Sequence, residues 1–264
     1  MKKKVALIFV CVNQPYWPFF YQVVADAKKH FLTNHDVDIL AWTDIPEDLN
    51  PGATFFPTEP IGWPYPTLMR YHLFLQQEEV LKGYDYIFYL DADMRIVDTV
   101  GDEIMGEGLT MAEHPMYSLR REYIPPYEPN PASQAYIPRL GVVIQNEQGG
   151  PWFKPLYAAG GLQGGRADLF IEAMKKMRDG IDKDFNNNYT AIWNDESHWN
   201  KYLYDYRGHI TVLSPSYVYP DSLIENYYVK IWGKNYKPII VTLTKKFTTT
   251  VQGGDELKAK LASM

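Results

Sequence analysis

Three short apolar runs, Val5 to Val12, Val37 to Trp42 and Tyr84 to Leu90, are separated by two stretches of helical character. This alternation of strand and helix patterns constrains the chain more than any other feature, because parallel strands need crossovers long enough to carry a helix. The first run is too continuous for a half-exposed sheet, so its strand is expected to be covered on both faces. Phe19, Phe20, Val23, Val24, Ala27 and Phe31 mark the buried face of the first helix. Thr67 is placed to cap a second helix that runs to about Lys82 and closes at Gly83. In sheets of this kind the ligand crevice lies beyond the carboxyl ends of the strands, and Asp91-Ala92-Asp93 stands at one of those ends.

The rest of the chain is less regular. From Pro115 to Pro155 prolines are frequent and helical periodicity is absent, so irregular structure or short strands are expected. Leu169, Phe170, Ala173, Met174, Met177 and Ile181 share a helix face, Asp195 to Tyr206 reads as a further helix, and His209 to Leu213 as a late strand. The tail from about Lys245 is polar and carries Gly253-Gly254, which favours mobility in the absence of ligand. No linker or repeat divides the 264 residues.

Charge narrows the function. A net charge of −6 disfavours nucleic acid and anionic lipid as partners, since both require a basic face. The single cysteine, Cys11, provides neither an internal disulfide nor a thiolate metal cluster. Lys2-Lys3-Lys4 before Val5 to Val12 imitates a signal peptide, but the apolar run is short and meets Asn13-Gln14-Pro15 without a small-residue cleavage site. No run has the length of a transmembrane segment. A soluble cytoplasmic protein is the expectation.

Three groups of residues could carry chemistry. Residues i and i+2 of a strand point to one side, so Asp91 and Asp93 can converge on a hard cation such as Mn²⁺ or Mg²⁺, with phosphate and water completing its shell. The alternative is a solvated turn. Asp195 is placed to cap its helix, with Glu196 in the first turn, where the helix dipole favours an ionised carboxylate. Beside the flat ring of Trp193, an ionised Glu196 suits a glycosidic reaction centre; capping electrostatics plus a core tryptophan explains the same residues. Tyr157 to Gly165 holds four glycines, which permit close approach to a ligand or a tight turn before a helix near Arg166.

In order along the chain, these pieces resemble glycosyltransferase family 6, which holds the blood-group A and B transferases, α1,3-galactosyltransferase and bacterial relatives. The matching stretches are Gly62-Trp63-Pro64 with Thr67 to Arg70, Leu90 to Met94, His114-Pro115, Ser133 to Pro138, Tyr157 to Gly165, Trp193 to Tyr202 and Leu213 to Pro215. The resemblance implies a single α/β domain over 1–264 with the GT-A glycosyltransferase fold, a Rossmann-like mixed sheet flanked by helices. Residues to about 94 would form the nucleotide-binding half, 95–244 the half that binds sugar and acceptor, and 245–264 the tail.

The same resemblance assigns roles residue by residue. Asp91 and Asp93 match the metal-binding acidic motif, with Mn²⁺ favoured and Mg²⁺ a substitute, and Ala92 lies between them against the donor. Phe9 and Cys11 match the strand whose backbone holds uracil, and Tyr16 a tyrosine stacked on it. Arg70 matches an arginine touching donor sugar and acidic motif; Asp195 also falls on the donor side. His114 and Trp193 match the acceptor site, and Glu196 the glutamate at the reaction centre, as nucleophile or as stabiliser of an ion pair. The outcome implied is retention of anomeric configuration.

Ala159-Gly160-Gly161-Leu162 matches the tetrapeptide that reads the donor sugar, and Gly161 would leave space beside C2, favouring UDP-GalNAc over UDP-Gal. Lys245 and Lys246 are the basic candidates for the tail that closes over the diphosphate. The implied acceptor is a β-galactoside, plain or fucosylated, on an oligosaccharide or other glycan. Many bacterial members carry Asn-x-Asn and work without metal, whereas both aspartates here imply metal dependence. A carbohydrate-binding protein with a degenerate site, and a UDP-sugar hydrolase, are the competing readings.

Overall fold

The computed structural model describes residues 1–117, 125–138, 144–145, 151–152, 157–223 and 236–245. Strand β1 (Lys4–Cys11) is buried from Val5 to its end, as its unbroken apolar run requires. Its alternation sorts side chains to two cores: Val5, Leu7, Phe9 and Cys11 face one, Ala6, Ile8 and Val10 the other. Helix α1 (Trp17–His30) covers the first face with Phe20, Val23, Val24 and Ala27.

Next come β2 (Asp36–Thr43) and β3 (Thr54–Pro57), which pair in parallel on one side of β1. Strand β3 escapes sequence reading because Phe55-Phe56 is too short to show a period and Pro57 ends it. The expected helix from Thr67 to Lys82 is three pieces: α2 (Tyr65–Leu68), α3 (Arg70–Leu75) and α4 (Glu78–Leu81). Thr67 does not cap it; its hydroxyl donates to the Pro64 carbonyl at 2.6 Å from inside α2. The breaks fall at Met69 (φ −93°, ψ 0°) and Gln77 (φ −114°, ψ 32°), where the backbone leaves helical geometry. The first break releases Arg70 to bond back to the Thr67 carbonyl at 3.1 Å and reach across to the sheet.

Strand β4 (Tyr86–Leu90) pairs in parallel with β1, and β5 (Met94–Ile96) and β6 (Leu109–Glu113) follow. Of the Pro115 to Pro155 stretch, 118–124, 139–143, 146–150 and 153–155 lie outside the described residues, and a two-residue pair, β7 (Ile144–Gln145) with β8 (Pro151–Trp152), falls within it. The glycine-rich run is neither a turn nor a loop but β9 (Ala158–Arg166), antiparallel to both β4 and β6. Its glycines hide it from strand propensity, which rewards branched and aromatic side chains.

Helices α5 (Ala167–Asn186) and α6 (Asn194–Asp205) cover the second core with Phe170, Met174, Met177 and Trp199. Strand β10 (Ile210–Leu213) then pairs with β6. Among the described residues seven strands form one mixed sheet, ordered β10-β6-β9-β4-β1-β2-β3, with helices on both faces. A smaller sheet joins β11 (Tyr219–Pro220), β12 (Ile240–Thr242) and β5. No described helix is long and apolar enough to cross a membrane. This is the mixed α/β architecture of a single GT-A-like domain.

Candidate active site

An open cleft lies beyond the carboxyl ends of β1 and β4. Val10, Val12, Asn13 and Tyr16 form one wall, Trp63, Pro66, Thr67 and Arg70 another, and Tyr89, Asp91, Ala92, Asp93 and Lys245 the base. The alternation of β1 sends the Phe9 and Cys11 side chains into the core, so any contact they make with a ligand is through the backbone. The register between β1 and β4 ends at Ile8, the Cys11 carbonyl accepts from the Thr43 hydroxyl at 2.5 Å, and Val10 and Val12, not Phe9 or Cys11, line the cleft.

Asp91 and Asp93 occupy the turn after β4. The Tyr89 hydroxyl donates to Asp91, and the Arg70 guanidinium lies 3.5 Å from it. Asp93 is buried and pairs with Lys245 at 2.7 Å. Burial chiefly, then the charge of Asp91, raises the Asp93 proton affinity, and Lys245 opposes the rise. Lys245 arrives because β12 runs antiparallel to β5 and the Leu243 amide donates to the Asp93 carbonyl at 3.0 Å. Its ammonium also stands 5.4 Å from the centre of the Tyr16 ring. Lys246 lies outside the described residues.

No group of three or more His, Cys, Asp or Glu side chains comes together as a metal cage among the described residues. The donor set nevertheless fits a hard divalent cation as part of a shared shell. Two carboxylates border one cleft, Asp93 facing Lys245 and Asp91 facing Arg70, and a hard divalent cation shared between them would take phosphate and water as further ligands.

Arg70 is buried between Asp91 and Asp195, 3.4 Å from the latter, and stacks 4.2 Å over the Tyr89 ring. Asp195 is therefore no helix cap: residue 193 holds that position, and no side chain caps α6. Its carboxylate instead faces Arg70 and accepts from Gln163 Nε2 at 3.2 Å. Gln163 Oε1 accepts in turn from the Tyr71 hydroxyl at 2.7 Å. Burial lifts the Asp195 pKa to about 6 despite Arg70. A buried pair of this kind is strongly destabilising to break, because the survivor keeps an uncompensated charge.

Glu196 does lie in the first turn of α6, half-buried, with both oxygens engaged. The Tyr157 hydroxyl donates to Oε1 and the Gly160 amide to Oε2, each at 2.7 Å. Burial raises its pKa to about 7, and the two donors limit the rise. The neighbouring glycines make these approaches possible. A Cβ on Gly160 would stand 3.1 Å from the Glu196 Cβ; one on Gly161 would meet the Met94 methyl at 2.3 Å and Asp91 Oδ2 at 2.9 Å. Ala159 is buried beside them. Gly161 thus has a structural reason within the protein, apart from any donor sugar.

His114 follows β6 and Trp193 precedes α6. The Met116 amide donates to His114 Nδ1 at 3.2 Å, which places the imidazole proton on Nε2, and burial lowers its pKa to about 4. His114 is a neutral donor at physiological pH. Trp193 is 45% exposed, so it is a surface platform rather than a core residue. Sequence reasoning assigned no role to Tyr157, Gln163, Tyr71 or Asn200. Asn200 could have been noticed one helical turn after Glu196, but its partners are on β9, far away in sequence. It accepts from the Ala158 amide at 2.8 Å and donates to the carbonyls of Ala158 and Glu196, both at 2.9 Å.

The chain resembles known glycosyltransferases over most of its length. The family model for glycosyltransferase family 6 matches residues 63–237. Histo-blood group ABO system transferase 1 of Rattus norvegicus is 31% identical over 227 residues, covering 79% of this chain and 59% of the rat protein. Globoside alpha-1,3-N-acetylgalactosaminyltransferase 1 of Gallus gallus is 28% identical over 217 residues, 78% of this chain and 59% of its own length. The O-antigen biosynthesis glycosyltransferase WbnI of Escherichia coli is 24% identical over 231 residues, 85% of this chain and 92% of that protein. The chain therefore spans little more than half of the vertebrate relatives it matches.

Proposed function

The chain belongs to glycosyltransferase family 6, and from that membership we propose that it is a retaining, metal-dependent α1,3-glycosyltransferase. It moves GalNAc, or less readily Gal, from a UDP-sugar to a β-galactoside, plain or fucosylated. One observation carries the reading: Glu196 and Asp91 lie against adjacent glycines of β9, with Arg70 and Asp195 linking the two groups. A lectin needs no such coupling of a diphosphate-type acidic pair to a carboxylate at a sugar carbon.

Each residue then has a task. Val10, Val12 and Tyr16 receive the base, while Arg70 and Lys245 face the diphosphate with positive charge. Asp91 and Asp93 would hold a divalent cation, whose chemistry there would be to neutralise charge on the leaving diphosphate. Glu196 presents its carboxylate to the anomeric carbon as positive charge grows there. His114 offers Nε2–H to a sugar oxygen, and Trp193 a flat apolar surface to the acceptor ring.

The test is release of UDP, and of free or transferred sugar, from UDP-GalNAc and UDP-Gal with Mn²⁺, Mg²⁺ or EDTA, with and without a fucosylated galactoside. Turnover that needs a divalent cation and yields an extended glycan supports the reading. Free sugar alone points to hydrolysis; undiminished transfer in EDTA removes the metal from the scheme.

A further inference from the structure

Tyr157 lies immediately before β9 with its ring fully buried. The rings of His114, Tyr117 and Tyr127 surround it, with centroids 5.7, 5.3 and 5.6 Å away. Its carbonyl accepts from the His114 amide at 2.8 Å. The phenol is thus fixed in position before it meets Glu196. Burial and the charge of Glu196 push its proton affinity far above the ordinary tyrosine range, so the hydroxyl donates. The last torsion of a glutamate is broad and two-fold, and one donor would leave the carboxylate free to swing. Two donors on opposite oxygens fix its plane.

We propose that Tyr157 is the positioning residue for Glu196: its hydroxyl, braced by the aromatic cluster that also seats His114, fixes the plane of the carboxylate together with the Gly160 amide. The contact geometry stands by itself, while its kinetic consequence rests on the transferase reading above. Among the described residues the charged groups acting on Glu196 are Asp195 on its own helix and Asp91 after β4, with Arg70 on α3 between those two. Asp195 and Asp91 oppose ionisation of Glu196, and the Tyr157 and Gly160 donors favour it. Loss of the hydroxyl therefore raises the pH at which Glu196 ionises.

Tyr157→Phe keeps the ring and its packing. The carboxyl signal of Glu196, identified by its disappearance in Glu196→Gln, is titrated by carbon-13 NMR in wild type and variant. The expected midpoint moves up by about one pH unit. Replacing Tyr157 by 3-fluorotyrosine, a stronger donor, should move it down. In the transfer assay kcat falls about 10–100-fold, as for loss of a hydrogen bond to a charged group. The donor KM stays within about two-fold, and the acid limb of the profile moves with the NMR midpoint. Tyr157→Phe added to Glu196→Gln should cost nothing further. Unmoved midpoints in both Tyr157 variants, or losses that simply add, would overturn the proposal. A wild-type protein that transfers no sugar would sink the transferase reading instead, and the titrations would still decide the role of Tyr157.

Discussion

At Glu196, burial and two hydrogen bonds pull proton affinity in opposite directions, and burial prevails. A carboxylate whose folded pKa is about 7 against an ordinary 4.5 withdraws stability as pH rises between those values, because the folded state then binds a proton that the unfolded state has lost. Glu196→Gln removes that penalty. The Tyr157 hydroxyl can rotate to accept from the new amide while the amide oxygen keeps Gly160. Its stability advantage over wild type should therefore widen from pH 4.5 to 7, reaching on the order of 1–3 kcal/mol in urea titrations. Transfer should fall about 10²–10⁴-fold with UDP affinity nearly intact; loss of UDP binding would make Glu196 structural. Wild-type transfer should decline as pH drops through about 7, which a rate profile checks. Gly161 makes a separate forecast. Because its missing Cβ makes room for Met94 and Asp91, Gly161→Ala should weaken UDP binding in the presence of Mn²⁺, besides altering sugar choice. Calorimetry with UDP alone, which has no sugar to select, separates the two effects.

Among the elements, β9 and α6 are joined by Asn200, whose side chain satisfies both backbone groups of Ala158. Asn200→Ala strands a buried donor and acceptor, each costing about 1–3 kcal/mol. A loss of roughly 2–4 kcal/mol in denaturant unfolding is expected, with Glu196 less well placed even in the folded fraction. Asn200→Asp keeps an acceptor but not the donor, and should lie between. Strands β1, β2, β4 and β10 and the long helices were legible in the sequence because apolar runs and periodicity report burial directly, as in β1 and α5. Asp91 and Asp93 stand out for a different reason, since carboxylates after an apolar run demand compensation, and Glu196 for its place in a first helical turn beside Trp193. What was hidden depended on contacts distant in sequence. Asp195 looked like a cap until Arg70 stood beside it, and β9 looked like a turn until β4 and β6 closed on its bare backbone. The second helix broke at Met69 for a partner on another element, Gly160, whose carbonyl receives Arg70 at 3.4 Å.

For the molecule as a whole, the cleft gathers residues from both ends of the described chain, Val10 and Lys245 among them. A ligand that fills it should therefore stabilise the entire fold. Saturation with UDP and Mn²⁺ at about 100 times Kd adds roughly 2.7 kcal/mol, an increase in Tm of about 5–10 °C for a domain of this size. UDP without Mn²⁺ should give a smaller shift, and Asp93→Asn should reduce the difference between them; differential scanning fluorimetry measures all three. Equal shifts with and without the ion would count against a shared phosphate-metal shell. The antiparallel insertion of β9 has one more consequence, in the order of assembly. β4 and β6 are synthesised first but do not touch; they are bridged only when the later β9 slides between them. Until then the nascent chain presents an open edge on β4 and a β6 with neither neighbour, since β10 comes later still, and open edges attract other chains. A polypeptide halted before residue 158 should be a client for chaperones, because it lacks both the strand that closes the sheet and the helix that carries Glu196.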